Sequence, residues 1–295
     1  MEEKHAFLII VHNNFYILNK LIQLLDDNKN DIYLHIDKKV RDYKICDTHK
    51  SKVYFINNRI DVRWGDISLI KCELELLKEA YNNGPYQYYH IISGVDLPLK
   101  SNKYIHDFFN LNKDKEFVGF VNDKSLETQL YKVRYYHFFM RYYRGNNRYL
   151  RLILRILRNL ILKFEEIFHI SRNKEYTYMK GANWLSVTNN FVKYLLPWEK
   201  DILSRYRYTE CADEFFIQST LWNSPFRENI YDINDEYKSC LRKIDRKRGC
   251  VYTWENDDFN ELISSNYLFA RKFDEKNTEI IDKIFNHLKG LDDNN

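Results

Sequence analysis

Glycine and proline are scarce in this chain of 295 residues, at 8 and 4 residues respectively. The sequence contains neither internal repeats nor a low-complexity linker, which excludes a repeat array and a pair of modules joined by a flexible tether. A chain of this length can bury one full α/β core, with at most a smaller appendage. Two large independent domains are therefore not expected.

Paired cysteines are also missing. The five cysteines are odd in number, scattered along the chain and never arranged as Cys-x-x-Cys. Such a set suits neither a disulfide framework nor a zinc site, so we expect free thiols in a reducing cytoplasm and no metal site.

Long apolar runs and a strong net charge are absent as well. Acidic residues come first, and the apolar run Ala6–Val11 ends at once in polar residues, so neither a signal peptide nor a membrane-spanning helix is expected. The net charge of +4 is too small to indicate nucleic acid binding by itself. It permits an anionic ligand or an anionic membrane surface.

Aromatic residues, by contrast, are abundant, with 24 Tyr and 19 Phe. Their faces can stack on sugars or bases, although packing in the core and the sheet explains most of them.

The first hundred residues alternate between strands and helices. Apolar residues run continuously in the strands and recur with helical spacing in the helices. The predicted strands are 6–11, 31–37, 53–56 and 88–93, and the predicted helices are 15–25 and 68–81. This order predicts right-handed parallel βαβ units and half of a doubly wound, nucleotide-binding sheet.

One strand end carries a single carboxylate. The strand 88–93 stops at Ser93-Gly94 and presents Asp96 at its carboxyl end, where open α/β sheets bind their ligands. A sugar-nucleotide enzyme often has an Asp-x-Asp pair here that holds a divalent metal, but this chain has Asp96 alone. We therefore expect chemistry without a metal. Asp96 can also cap the turn that it begins, and both roles remain open.

The middle of the chain is less regular. Residues 117–121 can form a strand, and the alternating charges and aromatics of 133–139 suit an edge strand or a cleft wall. Arginines recur every three or four residues in 148–168 with Leu, Ile and Phe opposite them, which predicts a basic amphipathic helix. Its charged face either lies in solvent over the protein's own core or contacts an anionic membrane.

The remaining elements are predicted from shorter patterns. Residues 178–187 form a strand or loop, and Pro197 stops a short helix at 189–196. Further helices are expected at 213–222, 259–263 and 278–288, with a frayed end at 292–295.

Eight stretches in order along the chain resemble the core-2/I-branching family of N-acetylglucosaminyltransferases, glycosyltransferase family 14, whose bacterial members group with peptide xylosyltransferases. The matching stretches are 7–12 (FLIIVH), 35–38 (HIDK), 63–68 (RWGDIS), 90–100 (HIISGVDLPLK), 180–184 (KGANW), 213–216 (DEFF), 241–245 (LRKID) and 268–273 (LFARKF). The centre, roughly 122–173, matches poorly.

The resemblance implies a GT-A-like α/β fold, a single domain whose mostly parallel central sheet is flanked by helices. It implies an inverting mechanism and a UDP-sugar donor used without a metal. Within the domain we expect a nucleotide-sugar-binding half at 1–121, a variable helical insertion at 122–175 and an acceptor and catalytic half at 176–295.

The resemblance also assigns the reacting groups. Glu214 aligns with the family's catalytic base, and Asp213 is its weaker alternative. Lys272 matches the lysine that binds the diphosphate, and Arg248 is the best match for the arginine, with Arg246 and Arg242 as alternatives. Arg271 is grouped with them, although a structural ion pair is its stronger interpretation.

The nucleoside is expected at the strand ends. Val11 packs on the ribose, His12 lies beside it, and Asp37 accepts a hydrogen bond from the uracil or the ribose. Trp64 and Gly65 supply an aromatic wall and a close backbone approach, unless Trp64 lies in the core. His12 is not expected to ligate a metal, because no second ligand has suitable spacing.

The sugars are expected between these groups. Ser93, Gly94 and Asp96 form the floor of the donor sugar site, and Trp184 stacks on the acceptor sugar provided that it is not fully buried.

The sequence thus predicts a cytoplasmic glycosyltransferase that moves a sugar, foremost GlcNAc, from UDP to a glycan or lipid-linked glycan. Peripheral contact with the inner membrane face is compatible with this prediction. Xylosyl transfer and a non-catalytic nucleotide-sugar-binding protein are the alternatives. No cofactor and no nucleic acid partner are expected.

Overall fold

A five-stranded sheet forms the centre of the structure. Its strands are β1 (His5–Val11), β2 (Asn30–Ile36), β3 (Lys52–Phe55), β4 (Tyr88–Ser93) and β6 (Leu185–Thr188), in the order β3-β2-β1-β4-β6. The first four are parallel, whereas β6 runs antiparallel to β4. The computed structural model describes residues 4–143, 145 and 147–292, so most of the predicted frayed end lies outside the described residues.

Helices cover both faces of this sheet. Phe7, Ile9 and Val11 pack in the same cluster as helix α1 (Phe15–Leu25), whereas Ala6, Leu8 and Ile10 pack in the cluster of α2 (Ser68–Asn83). Because both faces of β1 are buried, its residues 6–11 are apolar throughout rather than alternating. This agrees with the predicted GT-A-like α/β domain.

Ten further α-helices are described. They are α3 (Asn102–Leu111), α4 (Asp123–Glu127), α5 (Tyr131–Arg134), α6 (Arg148–Ile167), α7 (Asn189–Leu195), α8 (Glu199–Tyr206), α9 (Phe216–Trp222), α10 (Glu236–Cys240), α11 (Phe259–Ser264) and α12 (Thr278–Asp292). Short 3-10 helices lie at Met140–Tyr142, Leu196–Trp198, Ala212–Glu214, Pro225–Asn229 and Asn256–Asp258.

A second, three-stranded sheet lies beside the end of β4. It consists of β5 (Leu97–Pro98), β7 (Arg242–Ile244) and β8 (Phe269–Arg271), with β8 in the middle. The backbone N–H of Phe273 donates to the carbonyl of Val95 at 3.0 Å. This sheet therefore brings the late 271–273 segment to the turn that follows β4.

The predicted strand at 117–121 is wrong, and so is the edge-strand alternative for 133–139. Phe117 forms only an isolated bridge with Ser186, because the run continues through Gly119, whose backbone packs against the carbonyl of Glu236. Residues 133 and 134 end α5, and 135–139 form an irregular segment, in which the Tyr136 ring stacks on Phe138 and lies under the Arg172 guanidinium.

Helix α6 forms as predicted, but its apolar side does not fill the core. Of the apolar residues predicted for that side, Leu154 is buried and Ile161 half-buried, while the others are exposed. The exposed members are Leu150, Leu157, Leu160, Phe164 and Phe168. The interpretation that this helix covers the protein's own core is therefore wrong for most of it.

Two predictions from composition can be compared with the structure. All five cysteines are free thiols. No helix in the described part of the chain has the length and apolar character needed to cross a membrane.

Candidate active site

The turn after β4 is held by Asp96. Its carboxylate accepts hydrogen bonds from the Ser93 backbone N–H at 2.9 Å and from the Ser93 hydroxyl at 2.7 Å. Gly94 leaves room for Val11, since a Cβ at this position would lie 2.7 Å from the Val11 Cγ2. The structure thus gives Asp96 the turn-capping role, and a contact of this turn with the donor sugar remains a prediction.

Arg271 connects this turn to Trp184. Its Nη1 lies 3.5 Å from the Asp96 Oδ1, and its guanidinium lies 4.3 Å from the centroid of the Trp184 ring. This is the structural ion pair that the sequence favoured over a diphosphate contact, and burial lowers the pKa of Arg271. Trp184 is half-buried, so stacking on an acceptor sugar stays open to it.

The segment around Glu214 contacts the turn that contains Gly65. Cys211 adopts a left-handed conformation with φ of 52°, and its N–H donates to the carbonyl of Gly65 at 3.1 Å. The 3-10 helix Ala212–Glu214 follows and directs Glu214 toward Lys180, whose Nζ lies 3.0 Å from the Glu214 Oε2. Lys180 is buried, whereas the Glu214 side chain is 28% exposed, so the carboxylate is both oriented by a cation and open to a ligand.

Two further carboxyl groups, those of Asp213 and Glu73, belong to the same cluster as Glu214. Glu73 on α2 is fully buried and accepts a hydrogen bond from the Asn183 side chain at 2.8 Å. Burial, followed by repulsion from Asp213, raises the pKa of Glu73 well above its ordinary value. Burial and the nearby Glu214 also raise the pKa of Asp213. The cluster therefore favours protonated Glu73 next to Asp213, while Glu214 is paired with Lys180.

The backbone around Lys180 is held by close glycine packing. A Cβ at Gly181 would lie 1.8 Å from the carbonyl oxygen of Gly119, so no other residue fits without movement of the backbone. The Gly181 N–H also donates to the carbonyl of Glu214 at 3.0 Å. The 180–184 motif thereby fixes Lys180 and Asn183 beside the carboxyl cluster.

Sequence reasoning gave no role to Lys180, Asn183 or Glu73. Glu73 carried a usable signal, because it lies three residues after Ile70 and four before Leu77, on the face of α2 that the apolar residues occupy. A charged residue on a buried face indicates a partner or a perturbed pKa.

The predicted nucleoside residues lie at the ends of β1 and β2. Asp37 is buried and already accepts hydrogen bonds from the Lys39 ammonium at 2.8 Å and the Val62 N–H at 3.2 Å. His12 is exposed directly after Val11. The uridine contacts themselves remain predictions.

Trp64 is 49% exposed, so its alternative placement in the core is wrong and an aromatic wall remains available. The adjacent Gly65 has φ of 75°, a conformation that favours glycine.

The candidate diphosphate residues differ sharply in their surroundings. Lys272 is partly exposed and makes no ion pair within the described ranges, whereas Arg248 binds the carboxylates of Asp245 and Asp258, both at 2.6 Å. Glu261 lies 3.4 Å from the same guanidinium. A phosphate at Arg248 would have to compete with these carboxylates, so the structure does not favour that assignment.

The two alternative arginines separate as clearly. Arg242 is buried and donates to the carbonyls of Cys240 and Leu185, which makes it structural. Arg246 is exposed, and its charge acts on both Arg271 and Glu236. The charges of Lys180 and Glu214 also act on the pKa of Glu236, so Arg246 lies near the carboxyl cluster.

No group of three or more His, Cys, Asp and Glu among residues 4–143, 145 and 147–292 is arranged to hold a metal ion.

The chain is similar in sequence to known proteins of one enzyme family. The model of the family described as "Branch: Core-2/I-Branching enzyme" matches residues 5–237. Xylosyltransferase 2 of Rattus norvegicus is 24% identical over 314 residues, and xylosyltransferase 2 of Homo sapiens is 23% identical over 319 residues. Each match covers 97% of this chain and 34% of the relative, so the chain spans about a third of the length of these curated relatives. The chain belongs to the Core-2/I-Branching enzyme family, the glycosyltransferase family that its motifs resemble.

Proposed function

We propose that this chain is an inverting glycosyltransferase that transfers a sugar from a UDP-sugar to a hydroxyl group of a glycan. The observation that carries the proposal is the Glu214 carboxylate, which is paired with Lys180 at 3.0 Å and is still accessible from solvent. A general base must come within hydrogen-bond reach of its substrate, and the partly exposed Glu214 can do so, whereas Glu73 is fully buried.

The reaction balances with Glu214 as its base. The acceptor oxygen forms a bond to the anomeric carbon while its proton passes to the Glu214 carboxylate. The bond from the anomeric carbon to the β-phosphate oxygen breaks, and UDP leaves with that electron pair. Attack from the side opposite to UDP inverts the anomeric centre and gives a β linkage from an α-linked donor.

Charge on the departing UDP is stabilised by basic side chains in this proposal, not by a metal. Lys272 follows β8 next to the β4 turn, and its ammonium makes no ion pair with the described residues. Arg246 is the arginine whose charge reaches both Arg271 and the Glu236 side of the site. Cations placed where charge develops in the transition state lower the barrier.

The family resemblance makes UDP-GlcNAc the first candidate donor. UDP-xylose is the second, because the relatives reported above are xylosyltransferases. We propose a glycan or lipid-linked glycan as the acceptor, in the assembly of a surface polysaccharide or glycoconjugate.

A screen of UDP-sugars with EDTA present tests the proposal. UDP release from one donor, undiminished by EDTA, is expected. Loss of activity in EDTA would contradict metal independence, and absence of both binding and hydrolysis for every UDP-sugar would overturn the donor class. Binding without turnover would identify a non-catalytic nucleotide-sugar-binding protein.

A further inference from the structure

Helix α6 presents a broad apolar face to solvent. At 100° per residue, its exposed apolar side chains occupy a continuous sector about 120° wide. They include Ile153, Ile156, Leu160, Phe164 and Ile167, which are between 53% and 70% exposed. A contiguous apolar face of this size on a charged protein marks a surface that another phase or molecule covers.

The helix is fixed to the protein by a narrow stripe on another side. Leu154 and Glu165 are buried, and the Glu165 carboxylate accepts a hydrogen bond from the Tyr136 N–H at 3.1 Å. The Arg158 guanidinium donates to the Glu210 carboxylate at 2.8 Å. The exposed apolar sector is therefore held in a defined orientation by buried polar contacts.

The remaining side of α6 is basic. Arg148, Arg151 and Arg155 line one shallow pocket with Tyr149 and Leu152, and these arginines make no ion pair with any residue that the structure describes. Three unpaired guanidinium groups around one concave surface suit the phosphate groups of anionic lipids.

The combination of a wide apolar sector and an arginine-rich polar face is the pattern of a helix that lies in the plane of a membrane interface. A second copy of this chain would supply an apolar surface but would bring the same unpaired positive charge. An anionic bilayer supplies both an apolar interior and negative charge, so the charge complementarity favours the bilayer.

The contact between α6 and Glu210 connects the helix to the segment that carries Glu214. Glu210, the partner of Arg158, lies four residues before Glu214 in the same segment. A docked α6 would therefore hold the catalytic segment close to the membrane surface, where a lipid-linked glycan presents its hydroxyl groups.

We propose that α6 docks this enzyme in the plane of an anionic membrane and that the acceptor is a glycan carried on a lipid in that membrane. The acceptor part rests on the proposed function, whereas the docking part is independent of it.

Vesicle binding of the full chain tests the docking part. Co-sedimentation is measured with vesicles of phosphatidylcholine alone and with vesicles that contain phosphatidylglycerol as well. We expect binding to the anionic vesicles that falls with rising salt. The variant Ile153→Glu/Leu160→Glu should weaken this binding by roughly tenfold or more, because two apolar anchors become anionic.

A second pair of variants tests the charge. Arg151→Gln/Arg155→Gln should weaken binding to anionic vesicles by roughly tenfold or more. Lys50→Gln/Lys276→Gln removes the same charge from exposed sites elsewhere and should leave binding within about twofold. The matched apolar control is Leu111→Glu, at a residue that is 86% exposed on α3.

Separate readouts distinguish this proposal from the proposed function. Ile153→Glu/Leu160→Glu should hydrolyse the UDP-sugar donor at the wild-type rate, while Glu214→Gln should bind vesicles normally. Failure to bind anionic vesicles would overturn docking, as would an oligomer in light scattering that the α6 substitutions convert to monomer without any vesicle binding. Equal transfer to soluble and vesicle-bound acceptors would overturn the lipid-linked acceptor.

Discussion

The Lys180 ammonium lies 3.0 Å from the Glu214 carboxylate, and the two residues come from segments 34 positions apart in the chain. The backbone next to Lys180 is closely packed, because Gly181 lies against Gly119 without room for a side chain. The pair therefore joins the segment that carries the proposed base to the closely packed backbone around Gly181.

Removal of the Lys180 charge should impair turnover. Lys180→Met is expected to lower kcat by roughly 10- to 100-fold, the range expected for one charge-assisted hydrogen bond, with little change in UDP affinity. Steady-state kinetics and calorimetric UDP binding check this. Lys180→Arg should retain more activity than Lys180→Met. Equal kcat in wild type and Lys180→Met would show that the ion pair has no part in catalysis.

Arg246 and Arg248 should respond differently to substitution. Arg246→Ala is expected to weaken UDP binding by roughly tenfold, because it removes a positive charge from the proposed diphosphate site. Arg248→Ala should leave UDP affinity within about twofold and instead lower the melting temperature, since Asp245 and Asp258 lose their shared partner. The opposite outcome, with UDP affinity lost only in Arg248→Ala, would show that Arg248 binds the diphosphate.

Glu73 should make stability depend on pH. Its folded-state pKa is raised, so the folded protein holds a proton that the unfolded chain releases above its ordinary pKa of 4.5. The contribution of Glu73 to the free energy of unfolding is fully present below pH 4.5. It is lost as the pH rises from there toward the folded-state pKa. Glu73→Gln removes this dependence.

Relative to wild type, Glu73→Gln should therefore gain free energy of unfolding by roughly 1 kcal/mol for each pH unit above the ordinary pKa of 4.5, until the pH reaches the folded-state pKa of Glu73. Urea unfolding at several pH values measures this difference. Glu79→Gln, on the same helix but exposed, is the control. A Glu73→Gln difference that does not change with pH would mean that Glu73 is ionised in the folded protein.

The elements that sequence analysis predicts well are those with a long, regular pattern. Helix α1 begins and ends at the predicted residues, and β4 also has its predicted bounds. By contrast, β5, β7 and β8 contain two or three residues each, too few to show a period. β5 pairs with β8, which lies more than 170 positions later in the chain, and no local pattern encodes such a contact.

The candidate site shows the same limit. Motif order assigns Glu214 and Lys272 as candidates, but it cannot separate Arg246 from Arg248, which lie two residues apart in one loop. Only the positions of Asp245 and Asp258 show that Arg248 is already bound. The exposure of the apolar side of α6 is likewise tertiary information, since an amphipathic pattern gives no indication of what covers its apolar face.

The most direct test of the account is the kinetic comparison of Glu214→Gln with Asp213→Asn, using the donor identified by the UDP-sugar screen. We predict that Glu214→Gln lowers kcat by roughly 10²–10⁴-fold, the usual contribution of a general base, while UDP affinity and melting temperature stay close to wild type. Asp213→Asn should lower kcat by a smaller factor than Glu214→Gln. Turnover of Glu214→Gln at the wild-type rate would contradict the proposed mechanism.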